Sequence, residues 1–91
     1  MTKQYKVVWR SFALKELKKI DQASQRRLIA AAKILSDNPF PPNSKKVVGP
    51  HEIQRIRVGD YRLLYKVEEV ELIVLVVKVG HRRNVYRSLT L

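Results

Sequence analysis

The longest unbroken apolar run in the chain is Leu72-Ile73-Val74-Leu75-Val76-Val77. A β-branched and aliphatic run without a polar break fits a strand buried on both faces, since a half-exposed strand alternates with polar residues. It predicts a central strand from about Glu71 to Val79. Two shorter segments precede it, Ile53–Val58 and Tyr61–Val67. Gly59-Asp60 separates them as a two-residue turn signal, and Glu68-Glu69 forms a tight acidic turn before the central strand. Together they read as an antiparallel meander. Near the N-terminus Tyr5, Val7 and Trp9 alternate with Gln4 and Lys6, which predicts a first strand pairing along one edge.

Between the first strand and the meander the period changes from two to 3.6. Ser11 reads as an N-cap for a helix from Phe12 to about Lys19, with Ala13, Leu14, Leu17 and Ile20 on its apolar side. Asp21 caps a second helix running to about Ser36, whose apolar stripe is Leu28, Ala31, Ala32 and Leu35, supported by Ile34. Asn38-Pro39 ends it, because a residue before proline avoids the α region. The prolines and Gly49 within residues 37–51 predict an irregular segment there, long enough for so small a domain to suggest a binding role. The order β-α-α-β-β-β predicts one α+β domain over residues 1–91: a helical hairpin packed on one face of a four-stranded, mainly antiparallel sheet.

Charge changes the picture from a fold to a partner. Nineteen Lys and Arg against eight Asp and Glu give a formal charge of +11, carried by both halves of the 91 residues. Self-repulsion of that size opposes compaction, so an anionic partner, nucleic acid first, is the economical explanation. There are no cysteines, hence no disulfide or thiolate metal site. No signal peptide is recognisable and no apolar run approaches the roughly 20 residues of a membrane span. A cytoplasmic protein without a membrane role is the expectation.

Strand alternation sorts the cations. Ile53, Arg55 and Arg57 share one face of their strand, and Arg62, Leu64 and Lys66 share one face of the next. The opposite faces, with Ile56, Val58, Tyr61, Leu63, Tyr65 and Val67, should meet the helices. Arg55, Arg57, Arg62 and Lys66 then gather on an uncovered face, with Arg82 and Arg83 leaving the central strand nearby. Guanidinium groups so crowded repel one another unless an anion sits among them, and arginine binds phosphate bidentately. Lys45 and Lys46 in the irregular segment are further candidates for phosphate contact, or solvated loop lysines. The chain has no glycine-rich phosphate loop, no Ser/His/Asp set and only His51 and His81 as histidines, so neither a metal nor a cofactor is expected. Cations with one His and one Tyr suit RNA cleavage by the RNA's own 2′-hydroxyl, which asks the protein for a base, positive groups and an acid.

Gly59-Asp60-Tyr61-Arg62-Leu63-Leu64-Tyr65, an acidic turn, and then Val77-Lys78-Val79-Gly80-His81-Arg82-Arg83-Asn84-Val85-Tyr86 resemble the RelE branch of the RelE/ParE toxin superfamily. The likeness runs over nearly all of the chain, including the Lys-rich first helix and the Asn38-Pro39 helix end. It implies a toxin that cleaves mRNA in the ribosomal decoding site and is held inactive by a RelB-like antitoxin wrapped around it, in a toxin–antitoxin heterotetramer. Position by position, the resemblance gives Arg62 the scissile phosphate and Arg82 a second stabilising contact in the transition state. Tyr86 falls on the residue that stacks on a base or shares in proton transfer. Two alternating lysines of the best-known type correspond here to Ile53 and Arg55, and a guanidinium that stays protonated is a poor base. Arg55 is thus retained as a catalytic cation and the general base is open. Lys45, Lys46, Arg57, Lys66, Arg83 and His81 complete the expected RNA- and ribosome-binding set. His81, at the strand end, reads either as a proton carrier or as a cap.

Two other readings stand beside this one. A ParE-type gyrase inhibitor shares the fold but has no need of Arg62, Arg82 and Tyr86 together. A non-catalytic basic RNA-binding module calls for exposed aromatics on the sheet to stack bases, and the Arg-bearing face offers almost none.

Overall fold

The computed structural model describes residues 4–49 and 52–85. Within them the chain runs β1 (Lys6–Trp9), α1 (Ser11–Lys18), α2 (Gln22–Asp37), β2 (Ser44–Lys46), β3 (Gln54–Val58), β4 (Tyr61–Glu68) and β5 (Ile73–His81). The strands form a single sheet in the order β1-β5-β4-β3-β2, parallel between β1 and β5 and antiparallel elsewhere. Both helices pack on one face. The α+β class and the meander stand as expected, with five strands in place of four.

The fifth strand lies inside the segment expected to be irregular. The Ser44 N–H and hydroxyl both donate to the Pro41 carbonyl, at 2.9 and 2.7 Å. That turn aims Ser44–Lys46, which contains no proline, along β3. A buried hydroxyl fastens the same segment: Tyr65, fully buried on β4, donates to the Pro39 carbonyl at 2.7 Å. Burial pushes the Tyr65 phenol above its usual pKa, an effect partly offset by a bond with Ser44. Tyr65→Phe leaves a buried carbonyl unpaired, so it should lower stability by about 1–3 kcal/mol. A thermal melt reads that as a drop of roughly 4–8 °C per kcal/mol for a domain of this size.

β5 is interior, which accounts for its unbroken apolar run. Its limits shift from the expected ones: Leu72 closes the turn after β4 in the left-handed region, at φ 57°, while pairing with β4 carries the strand on to His81. The register also slips. Leu64 faces Lys78 and Tyr65 faces Val76, so Val77 is an extra, bulged residue. The slip explains how Val74, Val76 and Val79 all join the helix-side core. It also sets Gly80 beside Arg62 and His81 beside Tyr61.

The main core joins Ala13 and Leu17 of α1 and Leu28, Ala32 and Leu35 of α2 to Ile56, Leu63 and Tyr65 of the sheet. Leu14 and Ile34 lie one residue off these stripes, about 100° around the helix, and are exposed. Helix α1 begins one residue earlier than expected. Arg10 holds the cap position in an extended conformation, with no side-chain cap bond, and Ser11 is already helical. Asp21 does cap α2, accepting from the Ser24 N–H at 3.0 Å, and that bond holds its carboxyl below its ordinary pKa. A depressed folded-state pKa contributes stability above the unfolded value and loses it as pH falls through the folded one. The difference in Tm between wild type and Asp21→Ala should therefore be full at neutral pH and shrink below the ordinary carboxylate range.

Candidate nucleic-acid interface

On the sheet face turned away from the helices, backbone register brings like charges together. Lys45 lies opposite Arg55, and Arg57 lies opposite Arg62. Directly opposed residues of an antiparallel pair have Cβ atoms about 4.5–5.5 Å apart, and opposed like charges are destabilising. Among the described residues, no carboxylate lies within ion-pair distance of these four cations. Among the described residues Arg62 makes one long bond, Nη1 to the Tyr61 carbonyl at 3.4 Å, which takes up one of its five donors. Next to Arg62 in the same row is Gly80, which adds no side chain.

The face is not bare, as alternation alone suggested. Ile53, Leu64, Val77 and Val85 form a second small core on it, each nearly or fully buried. Val85 is the roof: a Cβ built on Gly80 would lie 3.5 Å from the Val85 side chain. Ile53, which stands where the best-known relatives carry a lysine, is thus enclosed and cannot present a side chain to a ligand. The cations form a band around this apolar patch.

The chain after β5 folds back to make that roof. The Arg82 N–H donates to the Asp60 carbonyl at 2.8 Å, which ties the turn to the β3–β4 hairpin at the Arg57–Arg62 end of the sheet. That hairpin has its positive φ at Gly59, the first central residue, at +61°. The His81 carbonyl accepts from the Asn84 and Val85 N–H groups, each at 2.9 Å, and the His81 Nδ1 accepts from the Arg83 N–H at 3.3 Å. His81 therefore caps a single helical turn that carries Arg82 and Arg83, both exposed. On its other side the ring meets Tyr61 edge to face, with centroids 5.8 Å apart.

The remaining expected residues separate. Lys66 is four residues along β4 from Arg62, about 13 Å at a strand's rise, and lies 3.8 Å from Glu68. Lys46 takes the opposite face from Lys45. It borders a shallow groove of about 190 Å³ whose other walls include Glu52 and Glu69, which suits no phosphate. Tyr86 lies outside the described residues. Lys78, within the same cationic run of sequence, is withdrawn to the helices. Its Nζ lies 3.0 Å from a Glu16 carboxylate oxygen and 5.0 Å from the Phe12 ring centre. The second Glu16 oxygen accepts from the Val79 N–H at 3.3 Å. Glu16 thus satisfies β5 where β1 has ended and left its edge unpaired. The signal for this clasp was faint: Glu16 is the only acid in α1, four residues after Phe12, so the two share a helix face.

With this geometry in view, the relatives are informative. The profile of the family described as ParE toxin of type II toxin–antitoxin system, parDE, matches residues 7–86. A RelE-like toxin protein of Escherichia coli is 40% identical over 83 residues, covering 89% of this chain and 86% of its own length. The chain belongs to the RelE/ParE toxin superfamily. It is a RelE-like toxin of a type II toxin–antitoxin system. Among solved structures, the archaeal RelE–RelB complex from Pyrococcus horikoshii OT3 superposes with a TM-score of 0.78 at 27% identity, over 89% of this chain and 98% of that one. The toxin–antitoxin complex RelBE2 from Mycobacterium tuberculosis also gives 0.78, at 26% identity over 87% and 99%.

Proposed function

We propose that this toxin is an endoribonuclease that cleaves mRNA on the ribosome and so stops translation. The observation that carries the reading is the unpaired cation group Lys45, Arg55, Arg57 and Arg62 on one sheet face, with the Arg82 turn fastened to the same end. In this reading the 2′-hydroxyl of one nucleotide attacks the adjacent phosphorus and the 5′-oxygen leaves. No protein nucleophile or metal ion takes part. Arg62 and Arg82 bind the phosphate oxygens as charge builds on them, a stabilisation greater in the transition state than in the ground state. Arg55 and Arg57 supply field and bind the flanking backbone, and Tyr86 stacks on a base or shares in proton transfer. Lys66 and Arg83 extend the surface toward ribosomal RNA.

The partner in the resting cytoplasm is a RelB-like antitoxin, the kind of protein named in both complexes above. It neutralises by covering basic surface, with acidic side chains near Arg55, Arg57 or Arg83. Its affinity should fall as salt rises, because screening weakens the attraction. Titration calorimetry across an ionic-strength series checks this, and salt-independent binding counts against it.

Primer extension on mRNA after brief induction tests the activity itself. Discrete cuts within translated regions support the ribonuclease reading. Intact mRNA with damaged DNA turns the assignment to gyrase inhibition, the reading favoured by the ParE name of the matching family.

A further inference from the structure

We propose that His81 is a positioning residue: through its ring Nδ1 it caps the turn that carries Arg82 and Arg83, and so fixes that turn beside Arg62. Its effect on rate rests on the ribonuclease reading above; its effect on the turn does not.

Three contacts define the role. The carbonyl of His81 takes two turn amides, and the ring Nδ1 takes a third, from Arg83. An Nδ1 that accepts carries no hydrogen, so any ring donor is Nε2. Tyr61 holds the ring plane, with the two rings at 79° to one another. The arrangement is the histidine counterpart of an Asx turn, in which a side-chain acceptor takes the N–H two residues on. The corner is held from two further sides: Tyr61 of β4 offers a ring edge, and the Asp60 carbonyl of the hairpin takes the Arg82 N–H.

Asparagine and glutamine separate this role from others. The Asn Oδ1 lies where Nδ1 does and accepts the Arg83 N–H, whereas the Gln oxygen lies one bond further out, near the place of Nε2. The test is single-turnover cleavage on programmed ribosomes for wild type, His81→Asn and His81→Gln. In parallel, hydrogen exchange reads the protection of the Arg83 amide in the free proteins. His81→Asn should keep wild-type cleavage within about threefold. His81→Gln should be slower by about tenfold, the scale of a lost cap. Arg83 protection should fall about tenfold in His81→Gln and hold in His81→Asn. Equal loss of cleavage in both variants, with Arg83 protection kept in His81→Asn, makes His81 a proton carrier and overturns the proposal. Unchanged protection in His81→Gln overturns it as well. Wild type that cleaves no RNA removes the ribonuclease reading alone, and the exchange data still decide the cap.

Discussion

Replacing Arg62 by alanine should slow mRNA cleavage by about 10²–10³-fold, the usual loss when one transition-state donor is removed. The fold should survive, because Arg62 contributes one long bond of 3.4 Å and faces Arg57 across the strand pair. Removing it relieves repulsion between like charges, so Tm should hold or rise slightly. Arg82→Ala should lose activity on the same scale, since its side chain is exposed and only its backbone ties the turn to Asp60. Cleavage kinetics with a thermal melt on the same preparations separate chemistry from folding. If both alanine proteins stay folded and fully toxic, the site is wrongly placed.

The largest effect on stability should come from a residue far from the phosphate. Glu16→Ala strips Lys78 of its counter-ion and the Val79 N–H of its acceptor in one step. Lys78 is only 8% exposed, so its ammonium would be left largely desolvated and unpaired. Breaking a buried pair by removing one partner is destabilising by about 3–5 kcal/mol. Solvent reaches part of this one, so about 2–4 kcal/mol is expected. Denaturant unfolding measures it. Lys78→Met in the Glu16→Ala background should recover much of the loss, because the buried charge is then gone. A double-mutant cycle with no coupling between positions 16 and 78 would rule out the clasp.

The sequence exposed some of these features and hid others for definite reasons. The two faces of β3 and β4 were legible because side chains in a strand alternate strictly. Ile56, Leu63 and Tyr65 fell to the helix side, with Arg55, Arg57 and Arg62 opposite. Asp21 was legible because capping is local. The bulge at Val77 was not, since an apolar run carries no mark of which residue is extra. Without that slip Val79, and not Gly80, would stand beside Arg62. Strand β2 was hidden by the prolines around it: it is only three residues long and depends on Tyr65 and Pro41 contacts from outside itself. Val85 as a roof, and Ile53 as core in place of a candidate base position, both follow from the chain folding back after β5. Long-range contacts of that kind leave no periodic trace.

The ribonuclease assignment is tested most directly by the chemical nature of the cut end. Purified toxin mixed with programmed ribosomes in a single turnover should leave a 2′,3′-cyclic phosphate on the upstream fragment, as attack by the neighbouring 2′-hydroxyl requires, and replacing the 2′-hydroxyl at the scissile nucleotide with hydrogen should abolish the cut. Intact mRNA, a free 3′-hydroxyl on the upstream fragment, or undiminished cleavage of the 2′-deoxy substrate would contradict it.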